Sequence, residues 1–283
     1  MFARAALGVQ RHGAGSRVSV LRSHAPMVLR PTNPKGAEPL VRRAADVARV
    51  SLAAGAAGPL GGDDYHLEVH VGAGSVLVLN EVSATLLLPG PSGGRSRMRV
   101  IVRVDDDATL IWLPEPLIAA SGCDHLHEID VTLGERARLL LREEVRLGRL
   151  HEQPGRISQR LSVRRGGEPL YVQRLDLGGE ETPWRGPVIT GGRRCIGNVL
   201  VVDPAWTQGT PPGRMLDGTG ALAPLAGPAM LVTAVAEDTR GLRRTLDAGI
   251  DALGDPWSTA SSGDRHPASP PDGSSTTGME RST

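Results

Sequence analysis

One pattern occurs three times in the middle of this chain, and it restricts the fold more than any other feature of the sequence. Residues 71–79, 104–112 and 133–141 each consist of an alternating apolar run, a short polar or glycine turn and a second apolar run. This pattern is typical of a β-hairpin. The three segments start 33 and 29 residues apart, which indicates a repeated unit that buries its apolar face only by stacking against its neighbours. We therefore predict a mainly β fold in which stacked, repeated hairpins form an extended β body with few helices.

Near the C-terminus the apolar residues change from strand periodicity to helix periodicity. Four of them fall on one helical face: Leu242, Leu246, Ile250 and Leu253. Asp238 or Thr239 can cap the start of this helix, and Gly254 ends it. The composition then turns to Ser, Thr, Pro, Gly and Asp, which is typical of disordered chain. We predict a single β-rich domain over residues 1–253 that ends in this helix, and a disordered tail over residues 254–283.

The bulk composition argues against several classes of partner. The 4 Trp, 2 Tyr and 1 Phe residues offer few platforms for stacking nucleotide bases, and a formal net charge of +1 gives no field that favours a phosphate backbone. No 18-residue apolar run is present. Cys123 and Cys195 are too few for a disulfide framework, which fits a reducing compartment. We predict a cytoplasmic protein that binds neither nucleic acid nor membranes.

The positions of single acidic residues suggest ion handling. Asp63 follows Gly61 and Gly62, which permit positive φ, so the turn can hold this carboxylate at a fixed place before the next strand. An ordinary turn explains the same residues. The functional alternative is a positioned carboxylate for a hard or borderline cation.

A histidine pattern just before the third repeat resembles a soft-metal cluster. Cys123, His125 and His127 project to one face if the strand is unbroken. Three ligands in a line on one strand cannot by themselves close a tetrahedral site. Partly buried or edge histidines are therefore the alternative to metal binding. His66, Glu68 and His70 also share a face, and we predict that this stripe faces solvent.

Two further acidic positions lie at predicted strand ends. Glu115 stands between two prolines, which fix its direction and prevent a helix, and this presentation suits ion handling, partner docking or a simple strand cap. Glu143 and Glu144 follow the third repeat. Adjacent like charges are most often exposed, whereas a buried one would have a raised pKa and would need a functional explanation.

The local motifs of several common enzyme classes are absent. The sequence has no P-loop and no GxGxxG after a strand. One enzymatic alternative stays open: a β-rich carbohydrate-active hydrolase that uses Glu115 and Glu144 as a strand-end carboxylate pair. Sparse aromatic residues count against sugar stacking in such an enzyme. A third alternative is a purely structural β-solenoid.

Several motifs, taken in their order, resemble one known family. They are LRSHAPMVLRPT at 21–32, GPLGGD at 58–63, SATL at 83–86, WLPEPLI at 112–118 and EVRLGR at 144–149. Their order and spacing are similar to those of the UreD (also called UreH) family of urease accessory proteins, and the resemblance covers residues 17–253.

This resemblance implies a non-catalytic scaffold of mostly β structure. Members of the family bind the urease apoprotein, a UreF-like accessory protein and, through it, a UreG-like GTPase. They help to pass nickel to the urease active site along an internal polar passage. Asp63 occupies the position of the family's Gly-Gly-Asp carboxylate, and Glu144 that of an acidic residue before Leu-Gly-Arg. We accordingly expect Asp63, Glu144 and Glu115 to contact nickel in transit, with Cys123, His125 and His127 as further candidates and with no tightly bound cofactor.

Overall fold

The computed structural model describes residues 1–33, 47–91, 93–180 and 182–254. In chain order its strands are β1 Phe2–His12, β2 Gly15–Arg22, β3 Met27–Pro31, β4 Ala48–Ala54, β5 Asp64–Val71, β6 Val76–Glu81, β7 Thr85–Leu87, β8 Ser96–Val104, β9 Thr109–Leu113, β10 Leu117–Ala119, β11 Asp124–Leu133, β12 Arg138–Leu147, β13 Arg156–Arg165, β14 Glu168–Leu177, β15 Cys195–Val202, β16 Arg214–Met215, β17 Gly220–Pro224 and β18 Ala229–Ala236. A 3₁₀ helix, Pro204–Gln208, precedes β16, and an α-helix, α1, covers Thr239–Asp251.

The strands form two sheets. The first has the order β14-β13-β11-β8-β5-β1-β2, and the second has the order β16-β17-β18-β15-β12-β9-β6-β4-β3, with β10 and β7 attached beside β12. The mainly β class is confirmed. Because residues 255–283 lie outside the described residues, the disordered tail and the domain boundary at 253 stay predictions.

The three repeats stack in register, as their spacing indicates. Val71 is the direct partner of Val104, and Val104 is the direct partner of Leu133, in the parallel ladder β5-β8-β11 of the first sheet. The ends of the repeats stack in the same way in the second sheet, where Leu79 pairs with Trp112 and Trp112 with Leu141. Stacking of repeated units into an extended β body is therefore confirmed.

The pairing inside each repeat differs from the prediction. β5 pairs with β1 and β8, whereas β6 pairs with β4 and β9, so the two runs of one repeat lie in different sheets. The hairpins predicted for the three repeats are therefore wrong. Each turn instead carries the chain across the core from the first sheet to the second.

The burial pattern of the runs gives the reason for this difference. The first run of a repeat alternates, as in β8, where exposed and buried residues follow each other. The second run is apolar on both faces, because Leu77 packs between the sheets while Val78 packs toward α1. A hairpin would place these two kinds of strand side by side in one sheet with the same exposure. Parallel stacking places each kind in its own sheet, one half-exposed and one covered on both faces.

The helix covers the outer face of the second sheet. Leu242, Leu246 and Ile250 are buried against Val199 and Val232. The N-cap is Asp238, whose Oδ1 accepts a hydrogen bond of 2.7 Å from the Gly241 amide. The predicted helix and its cap are confirmed. In the described residues no helix has both the length and the apolar character needed to span a membrane.

The first sheet leaves one face to solvent. Leu67, Val69 and Val71 of β5 are buried, whereas Glu68 and His70 between them are exposed. The predicted solvent-facing stripe is therefore confirmed for Glu68 and His70, while His66 at its start is half-buried. Cross-strand ion pairs continue along this face, for example between Arg99 and Asp130 at 3.2 Å. A charged outer face of this kind keeps a broad half-exposed sheet in contact with water.

Candidate functional site

A polar cavity interrupts the apolar packing between the two sheets. It measures about 30 Å³, and we call it the inner cavity. Its polar lining consists of Glu81, Glu115, His127, Glu143, Glu144 and Gln159. Since a water molecule needs roughly 10–15 Å³, the inner cavity has room for about two water-sized groups. Four acidic side chains and a histidine thus meet in the interior of a mostly aliphatic protein.

A second cavity of about 80 Å³ adjoins the inner cavity, and we call it the outer cavity. Tyr65, Thr85 and His125 contribute to its lining. Glu81 and His127 line both cavities. These two side chains therefore stand at the junction between the inner and the outer cavity.

A third, solvent-open pocket adjoins the inner cavity at Glu115. Its lining includes Glu115, Arg146, Arg149 and Arg243, and we call it the arginine mouth. Glu115 also lines the inner cavity. The inner cavity therefore shares lining residues with both neighbours, Glu81 and His127 with the outer cavity and Glu115 with the arginine mouth.

The two histidines of β11 are held neutral. His125 is fully buried, and its Nδ1 lies 2.8 Å from the Ser96 hydroxyl. Burial lowers the pKa of His125 to about 3, with a further contribution from His127, and burial lowers the pKa of His127 to about 4. Nε2 of His125 and Nδ1 of His127 have no hydrogen-bond partner. Unprotonated imidazoles with an uncommitted nitrogen can act as metal ligands.

Cys123 does not join these histidines. It precedes β11 and packs in an apolar cluster with Leu87, Val145 and Trp184. Its Sγ lies 3.7 Å from the Arg156 carbonyl oxygen, and burial raises the pKa of the thiol to about 12. The strand begins at Asp124, so the alternation that aligns Cys123 with the histidines does not extend to it.

Two carboxyl groups of the inner cavity hold a proton more tightly than an ordinary carboxyl group does. Burial raises the pKa of Glu81 to about 8, and burial raises the pKa of Glu143 to about 7. Gln159 donates a 3.4 Å hydrogen bond to Glu143, and Oε2 of Glu81 has no partner. At neutral pH Glu81 is therefore mostly protonated, and Glu143 is about half protonated.

Sequence reasoning missed Glu81 altogether and expected Glu143 and Glu144 to be exposed. Both of the latter are buried. A signal was available, because Glu81 and Glu143 each lie two residues after the stacked residues Leu79 and Leu141. Side chains at the same place in successive repeats of a solenoid face the same region of the core.

Glu115 and Glu144 are joined by one arginine of α1. Nη2 of Arg243 lies 2.6 Å from Oε2 of Glu115, and Nε of Arg243 lies 3.1 Å from both carboxylate oxygens of Glu144. Arg142 adds an ion pair of 2.8 Å to Glu144. Burial raises the pKa of Glu144, while the two arginines oppose that effect. Neither carboxylate is free to act as a general acid, which counts against the hydrolase alternative.

Asp63 lies beside the outer cavity, and three donors contact its carboxylate. Its carboxylate contacts the Met1 amine at 2.6 Å, the Tyr65 hydroxyl at 2.6 Å and the Leu60 amide at 2.9 Å. Burial alone would raise the pKa of Asp63, but these three donors outweigh it and lower the pKa. Since Tyr65 lines the outer cavity, Asp63 fixes part of the wall of that cavity.

The polar groups do not form a closed metal centre. Among the residues that the structure describes, no three His, Cys, Asp or Glu side chains converge closely enough to hold a metal ion. The arrangement consists of polar groups that line neighbouring cavities.

Comparison with known proteins assigns the family. The family model described as UreD urease accessory protein matches residues 2–266. A urease accessory protein UreD of Streptomyces coelicolor is 42% identical over 240 residues, which cover 84% of this chain and 91% of that protein. The UreD proteins of Streptomyces avermitilis, 39% identical over 89% of this chain and 97% of its own length, and of Frankia alni, 40% identical over 89% and 93%, are similar as well. This chain therefore belongs to the UreD family of urease accessory proteins.

Proposed function

We propose that this chain is a non-catalytic cytoplasmic scaffold that binds the urease apoprotein and passes nickel toward its active site. In this proposal a UreF-like protein and, through it, a UreG-like GTPase are its partners, and nickel is cargo, with no resident cofactor. The series of outer cavity, inner cavity and arginine mouth supports the proposal most directly. Family membership supports the accessory role.

The chemistry of the lining suits a borderline divalent cation in transit. Imidazole nitrogens are common ligands of nickel, and carboxylates add harder oxygen ligands. His125 and His127 are neutral, and each has an uncommitted nitrogen, so neither must lose a proton before contacting the ion. A cation that arrives displaces the proton of Glu81 and the proton that Glu143 carries in part of the molecules, so binding depends on pH.

The order of the groups suggests a route. From the outer cavity the ion would meet His125, then His127 and Glu81 at the junction, then Glu143, and finally Glu115 and Glu144 beside the arginine mouth. Glu115 and Glu144, expected from the sequence, lie on this route. Asp63, also expected, acts on the route through Tyr65 and the wall of the outer cavity in this proposal. Cys123 takes no part.

The test is nickel delivery to urease in a cell that expresses the full chain with the urease subunits and the accessory proteins. Purified urease is analysed for nickel by mass spectrometry, and co-purification shows whether the complex forms. Deleting this chain should leave urease without nickel. His127→Phe fills the junction of the two cavities and should lower nickel loading toward the level of the deletion while the complex still forms.

His70→Phe is the matched control, because His70 lies on the exposed face of the first sheet. It should leave nickel loading unchanged. Full nickel loading in the deletion strain would refute the scaffold role. Full loading with His127→Phe would refute the route while leaving the scaffold role intact.

A further inference from the structure

A simple conduit does not explain one half-buried network of ion pairs at the arginine mouth. Glu115 lines both the inner cavity and the arginine mouth, so the series of cavities passes this side chain. At the same point Arg243 reaches from α1 and contacts both Glu115 and Glu144. The guanidinium therefore occupies the space between the two carboxylates where a cation leaving the inner cavity would be held.

The charges at this point balance without any metal. Glu115 and Glu144 carry two negative charges, and Arg142 and Arg243 carry two positive charges, with ion-pair distances of 2.6–3.1 Å. An arginine stays protonated at every physiological pH. A divalent cation at this place would meet the positive charge of Arg243 within a few ångströms, and the two charges would repel each other.

We propose that Arg243 is a gate residue: its guanidinium substitutes for a cation between Glu115 and Glu144 and closes the passage at the arginine mouth. Nickel passes when this side chain leaves the two carboxylates. The inference rests on the proposed function, since it concerns the same passage. The inference adds that one residue, Arg243, keeps the passage closed until its side chain moves away from Glu115 and Glu144.

The attachment of α1 allows such a movement. The helix is held to the second sheet by Leu242, Leu246 and Ile250, which are buried. Arg243 lies in the first turns of the helix, and its side chain keeps 31% of its surface exposed. Rotation of this side chain toward solvent would break its contacts with Glu115 and Glu144 and leave the apolar contacts of the helix in place. Glu144 would retain Arg142.

The test is nickel binding by the purified full chain, measured by isothermal titration calorimetry with nickel chloride. Arg243→Gln removes the charge between the carboxylates and should create a site for one nickel ion per chain, with an affinity at least about tenfold above that of the wild type. Adding Glu144→Gln to this variant should remove the gain. Arg243→Met, which keeps an unbranched side chain, provides a second neutral variant if the glutamine variant does not fold.

Two controls separate the gate from a general loss of charge. Arg243→Lys keeps a cation at the same place and should bind nickel like the wild type. Arg244→Gln removes the neighbouring arginine, which is exposed and does not line the arginine mouth, and should also leave binding unchanged. Equal nickel binding by the wild type and a folded neutral variant would overturn the proposal, as would an equal gain with Arg243→Lys.

The two proposals fail in different ways. Nickel loading of urease that survives deletion of this chain would refute the proposed function itself. Loss of loading in the deletion, together with no gain of nickel binding in the neutral variants, would refute the gate alone.

Discussion

Replacing Glu143 by glutamine should stabilise the protein at neutral and alkaline pH. The pKa of Glu143 is about 7 in the fold against an ordinary value of 4.5. Above the ordinary value the unfolded chain releases the proton while the folded protein retains it, so the free energy of unfolding falls as the pH rises from 4.5 to about 7 and then levels off. At about 1.4 kcal/mol per pH unit, the full loss amounts to about 3 kcal/mol. Glutamine does not titrate, so Glu143→Gln escapes this loss.

Urea denaturation of the full chain measures the effect, with tryptophan fluorescence as the signal because Trp112 and Trp184 are buried. The stability gap between Glu143→Gln and the wild type should widen by about 2–3 kcal/mol between about pH 5 and about pH 8. The new amide can still accept the hydrogen bond from Gln159. Any cost of the amide to the free energy of unfolding is the same at both pH values, so it cancels when the two stability gaps are compared. Glu68→Gln on the exposed sheet face is the control and should show no comparable gain. A gap independent of pH would refute the burial of Glu143 as a protonated carboxyl.

Three further predictions concern the passage and the helix. Nickel binding by the full chain, measured by equilibrium dialysis, should increase as the pH rises through about 8, because Glu81 must lose its proton; Glu81→Gln should flatten this profile, and an unchanged profile would contradict the role of Glu81. Asp63→Asn should lower the free energy of unfolding by about 1–3 kcal/mol, because the Met1 amine and the Tyr65 hydroxyl lose a charged acceptor; urea denaturation with no change would show that these contacts contribute nothing. Asp238→Ala should cost about 1 kcal/mol and speed amide exchange in the first turn of α1; unaltered exchange there would contradict the capping role.

The sequence predicted those features of the fold that depend on local pattern. The 33- and 29-residue spacing places Val71, Val104 and Leu133 in one ladder, and the structure pairs them directly. Helical periodicity and a capping aspartate located α1 and its start. The partner of each strand was not predictable in this way. Backbone hydrogen bonds are alike in every ladder, so the choice between a hairpin and a parallel stack depends on which faces become buried across the whole body.

The candidate site was only partly predictable. Strand alternation placed His125 and His127 on one face, but it could not show that Cys123 enters a different cluster, because the strand begins one residue later. Glu115 was expected from the two prolines beside it, while its partner Arg243 is 128 positions away in the sequence. A local sequence pattern cannot predict a contact between residues so far apart in the chain.

The sequence by itself therefore determined the β class, the repeat, the terminal helix and the family, because each is encoded in spacing and residue type. Tertiary structure alone decided the rest. Packing of two sheets brought Glu81, His127 and Glu143 around one cavity and removed them from water, and that burial sets their protonation. Desolvation and long-range ion pairing are properties of the assembled fold, so neither can be deduced from the order of the residues.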